Sequence, residues 1–220
     1  MNVVFDLDGT LIDSAPDIQA MASKILDQLG KPPLSIEDTR RFIGEGAAVF
    51  VERMLRARGI ADTGDSYTDV LDRFLAAYSA SVDKAEFYPG AFEALQQLNA
   101  AGFSLGLCTN KPHAATLAVL SHMKIEQLFD ALIAGGMLSS RKPHPAMLQK
   151  VIADMGGGHT LFVGDSEIDA ETARRASVPF ALFIGGYRKT PVSQIQHDWQ
   201  FAHFSELLGI VNAAKDSSVQ

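Results

Sequence analysis

The chain has 220 residues, 47% hydrophobic and 20% charged; with a mean hydropathy of +0.07 it can bury a full core, which excludes disordered, collagen-like and disulfide-stapled classes. Nineteen basic residues against 26 acidic ones give a formal charge of −7. Such a surface repels phosphate backbones and anionic lipid, and no basic groove is visible, so neither nucleic acid nor membrane is expected as a partner. The lone cysteine, Cys108, has no intrachain partner, which favours a reducing compartment. No apolar run reaches the ~18 residues of a membrane span, and the chain opens directly on a strand. A cytoplasmic protein without signal peptide is therefore expected.

In chain order, the first short apolar run covers 2–7, and others follow at 103–108, 131–134, 160–164 and 179–184. Each is apolar on both faces and bounded by turn or helix signals, as strands covered on both sides are. Between them the sequence predicts helices at 91–101, stopped by Gly102, at 145–155, running into Gly156-Gly157-Gly158, at 167–176 and at 206–214. This alternation predicts an α/β fold, a parallel sheet flanked by helices. Residues 15–83 break it. The segments 16–29, 36–42, 47–58 and 67–82 all have helical period with no strand-like run among them. The chain is therefore expected to divide into a core of residues 1–14 and 84–220 and an inserted helical domain at 15–83.

The chemistry-bearing residues sit after the strands. The first strand runs into Asp6-Leu7-Asp8-Gly9-Thr10. Two carboxylates at i and i+2 at a strand's end are costly together unless a cation or a catalytic role compensates, and Gly9 allows the sharp exit. The second strand leads into Thr109-Asn110-Lys111-Pro112, where a hydroxyl and backbone N–H groups can donate to a phosphate oxygen or simply cap a helix. Pro143 and Pro145 hold Lys142 on a rigid loop. The fourth strand ends Gly164-Asp165-Ser166-Glu167-Ile168-Asp169. With Asp6 and Asp8, the acids Asp165 and Asp169 complete an oxygen-rich set suited to Mg²⁺. In open α/β sheets such residues converge at the carboxyl ends of the strands. Within the helical insert, Gly44-Glu45-Gly46 precedes the helix at 47. That loop either receives a substrate carboxylate or is a plain turn; Glu45 fits the first role only if it turns to solvent or pairs with Arg40, Arg41 or Arg53. The six histidines show no ligand spacing.

With these motifs in place, the sequence resembles a haloacid-dehalogenase-superfamily phosphatase with a Rossmann-like core and an α-helical cap. DLDGT at 6–10, Thr109, Lys142 and GDSEID at 164–169 carry the resemblance. More narrowly, IGEGA at 43–47, TNKP at 109–112, the KPHP motif, LFVGDS and GGY at 185–187 resemble bacterial phosphoglycolate phosphatases. The resemblance implies Asp6 as nucleophile through an aspartyl-phosphate, Asp8 as acid/base, and Thr109 and Lys142 holding the phosphoryl group with Asn110 close by. It implies Mg²⁺ on Asp6, the backbone carbonyl of Asp8 and Asp165, with Asp169 acting beyond them or through a water. Gly44, Glu45 and Gly46 would meet the substrate. The expected activity is hydrolysis of a small phosphorylated metabolite, 2-phosphoglycolate first, with another small substrate such as a sugar phosphate, or a phosphomutase, as alternatives. A monomer or homodimer is expected. A dehalogenase needs neither the second acid nor a metal, and a phospho-receiver domain has no use for a helical insert of this size.

Overall fold

The computed structural model describes residues 1–61, 64–78 and 82–217. Its main sheet is built on Asn2–Phe5 (β1), flanked by Ser104–Pro112 (β4) and Thr160–Gly164 (β6). Ala131–Gly135 (β5) lies outside β4, and Phe180–Phe183 (β7) then Trp199–Phe201 (β8) extend the other side. The order is β5-β4-β1-β6-β7-β8, with every pairing parallel. The chain leaves β1 in one direction for β4 and β5 and returns to its other side for β6. The crevice at the carboxyl end of β1 is therefore a topological switch point.

Alternation along the strands explains the layers. Val3 and Phe5, with Leu105, Leu107, Leu161, Val163 and Phe183, pack into one core. Val4, Cys108, Phe162 and Leu182 point into the other. Helices Ala91–Ala100 (α5) and Leu207–Ser217 (α9) contribute to the first core, and Ala146–Asp154 (α7) and Glu167–Ala176 (α8) to the second. A further helix, His113–His122 (α6), follows β4.

The helical insert contains Ala15–Gln28 (α1), Ile36–Phe42 (α2), Ala47–Arg56 (α3) and Asp65–Tyr78 (α4). These have their own core, including Met21, Met54, Phe42, Phe50 and Phe74, with Phe42, Phe50, Phe74 and Tyr78 in successive ring contacts. The chain leaves and re-enters the core through a two-stranded antiparallel ribbon, Ile12–Asp13 (β2) against Glu86–Phe87 (β3).

Several boundaries differ from the sequence expectation. The apolar run at 2–7 is strand only to Phe5, because Thr10, Leu11 and Ile12 all donate backbone bonds to the Leu7 carbonyl and curl the chain. The run at 103–108 continues as β4 through Pro112. The helix expected at 67–82 ends at Tyr78 on its described part; residues 79–81 lie outside the described residues, and Val82 is not helical. The two ribbon strands and β8 were not expected. Among the described residues no helix is long and apolar enough to cross a membrane.

Candidate active site

Asp6 lies one residue past β1 and stays in the sheet's frame, its N–H donating to the Val163 carbonyl at 2.9 Å. Asp165 follows β6, and Asp169 lies in the first turn of α8. One carboxylate oxygen from each of Asp6, Asp165 and Asp169 lies within 4.8 Å of the others, and all three residues are buried. Buried hard oxygen donors converging on one point suit a small divalent cation, which keeps waters at its remaining positions. Burial pushes the Asp6 carboxyl up to about 7; Lys142 opposes the shift and Asp169 adds to it. Burial also drives Asp165 well above the usual carboxylate range, with Asp169 and Asp6 contributing. A bound cation would relieve that accumulation of charge.

Each acid is fixed by its surroundings. Asp165 accepts from the Thr10 hydroxyl at 2.9 Å and from the Tyr187 N–H at 2.6 Å. Two glycines permit this approach. Gly9 has φ +90°, and a Cβ there would lie 2.6 Å from Asp165 Oδ2; a Cβ on Gly186 would lie 2.3 Å from the same oxygen. Asp169 forms a capping box with Ser166, accepting from its N–H at 3.2 Å and its hydroxyl at 2.6 Å.

Lys142 bridges two of the three acids. It is 2% exposed, with Nζ 2.8 Å from Asp6 Oδ1 and 2.7 Å from Asp169 Oδ1. Burial pulls its ammonium down, but Asp169 and Asp6 more than reverse this, so it stays above the ordinary lysine range. Its loop is held by Asn110, whose Oδ1 accepts from the Lys142 N–H at 2.9 Å while Nδ2 donates to the Lys142 carbonyl at 3.0 Å. The same Nδ2 reaches the Gly44 carbonyl of the cap at 2.9 Å. The Asn110 amide thus ties the lysine loop, β4 and the cap together.

Asp8 points elsewhere. Its carboxylate accepts from the Ser14 hydroxyl at 2.6 Å and from Lys111 Nζ at 3.1 and 3.2 Å, so it stands outside the three-acid cluster. Asp6, Asp8, Thr109 and Asn110, with Gly44 and Gly46, line a cavity of about 30 Å³ between cap and core. Phe50 and Phe74, which also belong to the core of the insert, wall it as well. Glu45 does not line the cavity. It pairs with Arg53 and, at 3.3 Å, with Lys189, one of the pairings the sequence allowed. Burial raises its carboxyl and Arg53 more than offsets this, leaving it low. None of the six histidines lines this cavity. Cys108 is buried, its thiol pushed up to about 12 by burial.

The sequence assigned no role to Lys111, Tyr78, Tyr187 or Thr10. The detectable signal for Lys111 was a charge inside what proves to be a nine-residue strand. Thr10 and Tyr187 lie within DLDGT and GGY, but their partners were not readable there: of their three bonds to Asp165 and Asp13, two span more than 150 residues.

A protein-family model described as haloacid dehalogenase-like hydrolase matches residues 3–183. A protein of Cereibacter sphaeroides named phosphoglycolate phosphatase is 45% identical over 206 residues, covering 93% of this chain and 94% of its own length. One of Rhodobacter capsulatus with the same name is 38% identical over 209 residues, covering 95% of each chain. Among solved structures, a predicted phosphoglycolate phosphatase from Haemophilus somnus superposes with a TM-score of 0.90 at 30% identity, covering 96% of this chain and 97% of its own. The parallel sheet, the helical cap and the acids at the switch point agree with these matches: the chain belongs to the haloacid dehalogenase-like hydrolases.

Proposed function

We propose that this hydrolase is a Mg²⁺-dependent phosphoric monoester hydrolase that converts 2-phosphoglycolate and water to glycolate and phosphate. The carrying observation is the buried set of Asp6, Asp165 and Asp169, two of them paired with the ammonium of Lys142, beside a cavity lined by Asp6, Asp8 and Thr109. The names of relatives matched over nearly their whole length support this substrate. Residues 1–14 and 84–220 would form the catalytic core and residues 15–83 the cap over it.

In this mechanism a carboxylate oxygen of Asp6 attacks phosphorus, and the bond from phosphorus to the glycolate oxygen breaks. Asp8 delivers a proton to that leaving oxygen. Asp8 then takes a proton from water as the water oxygen attacks phosphorus. The bond to Asp6 breaks, and phosphate leaves. Thr109 and the Lys142 ammonium hold the equatorial oxygens throughout, where negative charge would otherwise repel the Asp6 carboxylate. Asp169 positions Lys142 through the 2.7 Å contact. Asp6, Asp165 and the Asp8 backbone carbonyl would hold Mg²⁺, with Asp169 acting through a water. The cation supplies charge neutralisation on the transferring group.

Phosphate release from a panel of phosphorylated metabolites tests this. Activity on 2-phosphoglycolate should vanish with EDTA, and Asp6→Asn should stay at background. Turnover by Asp6→Asn would remove Asp6 as nucleophile. A hexose phosphate turned over tenfold better than 2-phosphoglycolate would overturn the substrate and leave the mechanism standing.

A further inference from the structure

The cavity between cap and core contains one cation that the mechanism above leaves unused. Lys111 is 4% exposed, and it is the one cationic side chain among the described residues that line this cavity. It projects from β4, two residues after Thr109. Its Nζ lies 3.1 Å from Asp8 Oδ1, 3.2 Å from Asp8 Oδ2 and 3.2 Å from the Tyr78 hydroxyl, and 4.3 Å from the Tyr78 ring centre. Asp8 belongs to the core and Tyr78 to the cap helix α4, so the ammonium bridges the two at the cavity wall.

Burying an ammonium is a poor way to stabilise a fold, since an apolar residue of similar size does as well or better. Asp8 does not depend on Lys111 alone, because Ser14 also donates to it. An ammonium has three donors, and among the described residues they meet Asp8 Oδ1, Asp8 Oδ2 and the Tyr78 hydroxyl; two of the three go to one carboxylate, so a substrate anion can take over one of them while the Asp8 pair persists. The surrounding wall of Phe50, Phe74 and Tyr78 keeps the local dielectric low, where a charge-to-charge contact is strong. Gly46, the N-cap of the ten-residue helix α3, lines the same space, adding the positive end of a helix.

The spacing says which anion can take over that bond. A carboxyl that protonates the leaving oxygen must come within about 2.6–3.2 Å of it. Lys111 Nζ stands 3.1 Å from that same carboxyl. That puts Nζ no more than about 6 Å from the leaving oxygen, a span that an anionic group one carbon beyond the ester carbon can bridge to reach Nζ. We propose that Lys111, backed by Tyr78 of the cap, is the specificity-determining residue that receives the carboxylate of a two-carbon phosphorylated hydroxy acid. This rests on the 2-phosphoglycolate assignment above. It also makes substrate recognition a joint property of core and cap, because half of the cradle arrives with α4.

The test compares kcat/KM of the full-length protein, with Mg²⁺, for 2-phosphoglycolate and for 2-hydroxyethyl phosphate, which carries a hydroxymethyl group in place of the carboxylate. The wild-type protein should favour the carboxylate ester by about a hundredfold or more. In Lys111→Gln that ratio should fall by about 30-fold or more, mainly through KM for 2-phosphoglycolate. Tyr78→Phe, which keeps the ring and the packing, should lower the ratio by several-fold and carries the test if Lys111→Gln does not fold. Equal losses on both esters, with the ratio kept, would show that Lys111 serves only Asp8 and overturn the inference. A wild-type protein that does not discriminate between the two esters would overturn the substrate assignment, and this inference with it, before any variant is compared.

Discussion

Replacing Lys142 by methionine isolates the electrostatics of the site, because the two side chains are similar in length and the change leaves no void of consequence. The loop keeps its position: the contacts that hold it run from Asn110 to the Lys142 backbone, not to its side chain. What is lost is the ammonium between Asp6 and Asp169, at 2.8 and 2.7 Å, with all three side chains nearly or fully buried. Removing one partner of a buried ion pair costs about 3–5 kcal/mol. For a domain of this size that lowers Tm by about 6–20 °C. The pH dependence gives the sharper check. Asp6 in the folded protein titrates at about 7, above its ordinary 3.8, with burial raising it and Lys142 holding it down. A carboxyl raised on folding stabilises the folded state below its unfolded pKa, and that contribution is lost as pH rises through the folded one. In Lys142→Met the folded value climbs further, so the variant goes on losing stability above pH 7, where the wild type has finished doing so. Thermal unfolding in EDTA at pH 6 and pH 8 should therefore show the larger deficit at pH 8. A variant that melts within 3 °C of wild type at pH 8, or that loses more at pH 6, would refute the buried-pair account.

The sheet was legible because its strands are apolar on both faces. Val3, Val4 and Phe5 in a short run bounded by turn signals read as a strand covered twice, and the structure divides them between two cores. The insert was legible because its helices carry their own apolar faces, as Met21, Met54 and Phe74 show. Local bonding escaped the sequence. The curl at Leu7 is set by three N–H groups converging on one carbonyl, and β2 and β3 are two-residue strands whose pairing joins positions more than 70 residues apart. The acids were legible as a group because each follows a strand and strand ends meet at the switch point. Their lysine partners were not. That Asp8 turns to Lys111 while Asp6 turns to Lys142 depends on which lysine each carboxylate can reach across the sheet, a long-range property that two positions in DLDGT do not encode. Asn110 shows the same limit: its amide is engaged by the Lys142 backbone and the Gly44 carbonyl, so its place is to join elements that are distant in the chain.

Gly9→Ala should damage the metal site without touching a charged group. Its Cβ would sit 2.6 Å from Asp165 Oδ2 and 2.9 Å from Tyr187 Cδ2 at a φ of +90°. Strain of this kind costs about 1–3 kcal/mol, so Tm should fall by several degrees and the Mg²⁺ concentration for half-maximal activity should rise; an unchanged Mg²⁺ requirement would mean that Asp165 is not a ligand. The remaining prediction concerns Mg²⁺ itself and needs no mutation. Carboxylates bind a cation only when ionised, so metal and proton compete for them. With Asp6 at about 7 and Asp165 raised well above the ordinary range, lowering the pH from 8 to 6 should weaken Mg²⁺ binding about tenfold for each proton displaced by a group titrating near 7. At saturating metal, each such decade removes about 1.4 kcal/mol of stabilisation, or about 3–6 °C of Tm. The rise in Tm on adding Mg²⁺ should therefore be larger at pH 8 than at pH 6 by at least that amount. Were the three acids instead exposed and free of mutual repulsion, they would be fully ionised at both pH values, and the metal-induced rise would be the same at each.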